Sequence, residues 1–172
     1  HPSTGQRMYH PTLDSTTAGY NLIDAVRAAR TLVPQASPVW MAVGEAQGGQ
    51  GAWAVNELSE NAGYGKMRGT VSLAPIADLA GLADAAAAGT LAPEQQRMYI
   101  AFLAALSSEY PSRFHLKDYR RGTVEQNWDL LLGCRPGDDA ARSAAVSHIN
   151  PDDLRPAGPE ALAALREYLR KT

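Results

Sequence analysis

One cysteine, Cys134, stands in 172 residues. Alone it closes no internal disulfide and completes no metal site. Two readings of it stay open: a buried or idle thiol, or half of a disulfide whose partner lies outside these residues. There are four histidines, His1, His10, His115 and His148. No two have the pair spacing of a zinc site, so neither a metal nor a cofactor is expected. No apolar run is long enough to span a bilayer, which excludes a transmembrane helix. Charge of either sign is not in excess: 16 Lys and Arg face 18 Asp and Glu, a net charge of −2. A nucleic-acid surface needs clustered basic residues, and the nearest candidate, Lys117 to Arg121, is short and interrupted by Asp118 and Tyr119. It reads as a solvated helix end or loop, and nucleic acid is not an expected partner. An initiator Met and a signal-peptide pattern are both missing, so the chain is expected to be processed, trimmed or cut from something longer.

What is present is an ordinary globular composition, 45% apolar and 20% charged, at a length that suits one domain or a large piece of one. His1 to Leu13, rich in Pro, Ser, Thr and Gly, reads as a loop. Asp14-Ser15-Thr16-Thr17 offers N-caps for a helix over Ala18–Leu32, where Leu22, Ala25, Val26, Ala29 and Leu32 recur at helical spacing. A strand is expected over Val39–Val43, a helix over Gln50–Asn61 with a stop at Gly63, and a second strand over Met67–Leu73. Helix, strand, helix, strand is the rhythm of a parallel sheet covered on both faces. From Ile76 onward only helices are expected. They run over Asp78–Ala88, over Pro93–Ser107 (apolar nearly all round), and over Thr123–Gly133 behind a capping box at Thr123-Val124-Glu125-Gln126. Two more run from Asp138-Asp139 to Ser147 and from Pro159 to Lys171. Two strands do not make a stable sheet, so the chain reads as the middle of an α/β domain, with strands missing before His1 and after Thr172.

Everything is organised around Val39-Trp40-Met41-Ala42-Val43-Gly44-Glu45-Ala46-Gln47-Gly48-Gly49. An apolar, β-prone segment runs straight into glycines and then into a helix, the layout of a nucleophile elbow, G-x-S-x-G. The residue at its centre sits on a strained turn that thrusts its side chain above the sheet edge. Gly44 and Gly48 are expected there because a Cβ would collide with the turn or a neighbouring strand. The N–H of Gln47 would point where an oxyanion forms, at a helix start that favours negative charge. The centre itself is Ala46, where a hydrolase has serine. Alanine can hold the backbone and has no oxygen with which to attack.

The run from Gly44 to Ala54 resembles the elbow of secreted α/β-hydrolase lipases, the LIP-type secretory lipases. Leu22 to Arg30 is similar to that family's helix before the elbow, and Val71 to Leu79 to the strand leading into its helical cap. The resemblance runs from about His10 to Gly89 and is only architectural beyond. It implies an α/β-hydrolase core with an inserted helical cap, residues 1–76 carrying the elbow at 44–48 and residues 77–172 the cap. It implies a serine carboxylic-ester hydrolase (lipase or esterase) of lipid degradation, secreted, working through an acyl-enzyme, with an acyl ester or lipid as substrate. The nucleophile position maps to Ala46 and one oxyanion donor to Gln47. The triad acid and base have no match, and a second fragment of the same polypeptide is an expected partner. The alternative is a natural pseudo-hydrolase that binds a lipid or partner without chemistry. A helical interaction module does not account for Gly44, Gly48, Gly49 and Gly51 at one turn. Asp78 reads as a helix cap rather than a triad acid, and His148, among short helices, is a poor base. The helix around Phe102 reads as cap core rather than acyl wall.

Overall fold

The computed structural model describes residues 12–62 and 66–171. His1, His10, the loop before Thr12 and the helix stop expected at Gly63 lie outside them. Residues 12–77 form one unit and residues 78–171 another.

The first unit opens with α1 (Ser15–Leu32), which starts where the sequence sets a cap. One carboxylate oxygen of Asp14 accepts the Thr17 N–H at 3.0 Å and the other the Thr17 hydroxyl. A cap of this kind satisfies a donor that the helix cannot and contributes about 1 kcal/mol. Next come β1 (Val39–Glu45), α2 (Gln47–Ala62) and β2 (Lys66–Leu73). The strands pair in parallel, Val43 beside Val71 and Glu45 beside Leu73, with a slip of register between Trp40 and Ala42. On the inner face Ala42, flanked by Trp40 and Met67, packs on Ile23 of α1 and on Ala52 and Val55 of α2. Gly19 lets the two helices meet: a Cβ there would lie 3.1 Å from the backbone of Ala54 and Val55.

The side chains on the other face of the sheet are exposed. Met41 is 60% exposed, Val43 69% and Leu73 53%, and Val39 and Val71 share that side. A sheet covered on both faces was the sequence expectation. Both helices of this unit lie on one side of the strands, so the alternation along β1 separates a packed face from an open one.

The second unit is helical: α3 (Ala80–Ala88), α4 (Pro93–Glu109), α5 (Gly122–Gln126), α6 (Trp128–Leu132), α7 (Asp139–Ser147) and α8 (Pro159–Arg170), with 3₁₀ turns at Leu116–Asp118 and Pro151–Leu154. Tyr99, Ile100, Phe102, Leu103 and Leu106 of α4 are buried and form its centre. α3 and α8 are joined by the Leu79 N–H, which donates to the Leu169 carbonyl at 2.8 Å, and by an Asp84–Arg166 ion pair. The single helix expected over Thr123–Gly133 is two pieces, broken at Asn127. Nor does the Thr123 capping box form, because Thr123 lies inside α5. Its N–H goes instead to the buried Asp153 carboxylate at 3.2 Å, which also takes the Asn150 N–H at 3.1 Å.

The expected α/β-hydrolase core is therefore not this fold. Among the described residues the whole sheet is two strands, β1 and β2, and helices dominate the rest; the protein is mixed α/β. The elbow that suggested the larger core is a device of a few residues. It dictates how one strand enters one helix and says nothing about how many strands flank it.

Candidate functional site

β1 passes into α2 through one residue, Ala46, at φ +51°. For alanine this left-handed conformation is a strain of about 1 kcal/mol or more, held only where the surroundings over-determine it. Here they do. The Ala46 N–H donates to the Leu73 carbonyl at 3.0 Å, prolonging the β1–β2 ladder by one rung. The Ala46 carbonyl accepts the Gln50 N–H at 3.0 Å, the first bond of α2, and the Ile76 N–H at 3.3 Å.

The glycines do unequal work. A Cβ on Gly44 would lie 1.9 Å from the Gly48 carbonyl oxygen, and one on Gly49 2.8 Å from that of Leu73. Nothing lies within 4 Å of a Cβ on Gly48. The expectation that Gly44 and Gly48 flank the turn for the same steric reason is thus half wrong, and Gly49 is the second constrained position. The Ser72 hydroxyl reinforces it, donating to the Gly49 carbonyl at 2.7 Å.

The side chain of Ala46 is exposed, as an elbow requires. Gln47 is the first residue of α2, and its N–H has no hydrogen-bond partner among the described residues. It is one of the donors that a helix start leaves open, at the positive end of the helix dipole. One turn on, Gln50 is 4% exposed. Its side-chain N–H donates to the Leu13 carbonyl at 3.3 Å, while its carbonyl oxygen is buried without a partner among the described residues. It lines a cavity of about 210 Å³ together with Ser15, Trp53, Glu57, Ile76 and Ala77. Trp53, 56% exposed, gives its indole N–H to Glu57 at 2.9 Å. The sequence reading missed Gln50. Its signal is a polar side chain on the same helical face as Ala54, inside a glycine run.

The remaining candidates have structural roles. Asp78, at φ +42°, accepts the Ala80 N–H at 3.3 Å and so supports the start of α3, although Leu79 occupies the cap position. The His148 ring contacts the Ala144 carbonyl at 2.7 Å on its own helix. Residues 12–77 contain no histidine. Cys134 is an exposed free thiol. The Lys117–Arg121 cluster is not simply solvated. Tyr119 is buried, Arg120 stacks on Trp128 at 4.3 Å, and Arg121 donates to the carbonyls of Asp152 and Arg155, both at 2.7 Å. Among the described residues no three metal-ligating side chains cluster, and no helix is long and apolar enough to cross a membrane.

No family model, characterised protein or solved structure matches this chain. The site is defined by geometry alone: a strand-to-helix elbow with a strained, exposed alanine at its tip and an open backbone donor beside it.

Proposed function

We propose that residues 44–49 form the oxyanion half of a serine carboxylic-ester hydrolase site that is inactive with alanine at its tip. Ala46 at φ +51° between β1 and α2 carries this reading. No glycine is used at the tip, although glycine would hold that backbone without strain; the strained position carries a side chain aimed into solvent. A serine hydroxyl there would attack an acyl carbonyl, and the Gln47 N–H would donate a hydrogen bond to the developing oxyanion. The general base would come from outside residues 12–77, which hold no histidine.

Ala46→Ser in the full-length protein tests this with a panel of short- and medium-chain nitrophenyl esters and a fluorophosphonate probe. Ester turnover, with the probe attached at position 46, is the expected result. The pseudo-hydrolase reading rests on Ala46 itself, which has no oxygen, and holds that acyl esters bind here without turnover. A folded Ala46→Ser protein that neither turns over esters nor takes up the probe would decide for that alternative.

A further inference from the structure

In the helical unit, α4, α6 and α7 enclose a groove of about 1260 Å³. α4 buries one side in the unit's centre and turns Met98, 41% exposed, and Ala101 toward the groove. Leu131, Val146 and Ile149, all half-buried, continue the apolar floor. The groove is larger than the roughly 300–1000 Å³ typical of small-molecule pockets. It is an open groove rather than an enclosed cavity, the form of surface that takes one apolar face of a helix.

Its charges are not balanced. Arg97 and Arg135 line the groove, and neither has an ion-pair partner among the described residues. Arg142, 9% exposed, gives Nε–H to the Leu130 carbonyl and one Nη to Asp139, while its other Nη is buried without a partner among the described residues. Asp139 is thereby taken, which leaves Glu94 as the carboxylate facing two free guanidinium groups.

We propose that this groove receives an acidic amphipathic helix of a partner polypeptide. Its apolar stripe, spaced i, i+3, i+4, i+7, lies on Met98, Ala101 and Val146, and its carboxylates meet Arg97 and Arg135. The pairing supplies selectivity by charge as well as burial. This site is independent of the elbow and of any ester chemistry there.

The probes are two fluorescein-labelled amphipathic peptides of about fourteen residues, with a common leucine stripe and either Glu or Lys on the flanks. With full-length protein, fluorescence anisotropy should show the Glu peptide binding at about micromolar Kd and the Lys peptide at least about tenfold more weakly. Arg97→Glu with Arg135→Glu, both exposed positions, should invert that preference, and Ala101→Trp should block both peptides. Thermal denaturation identifies any variant that fails to fold. Equal affinity for the two peptides, a preference untouched by charge reversal, or binding of neither overturns the proposal. So does one-to-one binding of dodecanoate that Ala101→Trp abolishes while the Glu peptide fails to bind, since that assigns the groove to a fatty anion.

Discussion

At the scale of single residues, the elbow shows how much one missing atom decides. Gly44 has no room for a methyl group, because that group would overlap the Gly48 carbonyl; Gly48 faces open space. Gly44→Ala should therefore cost about 3 kcal/mol or more, since backbone rather than a flexible side chain must move. Gly48→Ala, in the first turn of α2 at an ordinary φ, should be neutral or stabilise by up to about 1 kcal/mol through helix propensity. Urea denaturation of the two variants separates these cases, and equal midpoints would count against the geometry described. A cluster of glycines is legible in sequence as a tight turn. Which of its members is indispensable is not, because that depends on whose carbonyl sits opposite each Cα. The strand, the strained tip and the helix were all legible, since they follow from residues adjacent in the chain.

At the scale of elements, tertiary partners overrule local signals. The box at Thr123 is a sound local pattern, yet α5 takes its support from Asp153, 30 residues away. Gly122, at φ +53°, leaves the space that the same carboxylate occupies. No periodicity could reveal that pairing, nor the break at Asn127. Asp153→Ala removes an acceptor from the N–H groups of both Thr123 and Asn150 and should destabilise by about 2 kcal/mol. The urea midpoint should fall, with amide exchange rising first in α5 and the Pro151–Leu154 turn. An unchanged midpoint would show that water replaces the carboxylate at no cost. The helices themselves, α1, α4, α7 and α8, were legible because caps, prolines and apolar spacing agree. The number of strands was not, since a sheet's width is a property of what packs beside it.

At the scale of the whole molecule, buried phenols make the fold sensitive to alkali. Burial, and then the charges of Asp118 and Tyr168, push Tyr119 from 10.0 up to about 12. Burial is also the main cause that raises Tyr99. Below pH 10 the native and unfolded states both keep the Tyr119 proton. Between pH 10 and about 12 only the native state does, so stability present at neutral pH is lost as pH rises through that window. Tyr119→Phe should flatten the decline while costing about 1 kcal/mol at neutral pH, because the hydroxyl donates to the Ala161 carbonyl at 3.1 Å. Chemical denaturation at several pH values compares the two proteins, and parallel curves would refute the assignment. The joint between α3 and α8 has a consequence of another kind. Asp84 and Arg166 are 82 positions apart, and closing so long a span costs entropy before any contact repays it. On the ribosome α3 is made well before its covering helix. Leu82, Ala83 and Ala86 must then wait without that cover until α8 emerges, and the pace of translation sets how long they wait.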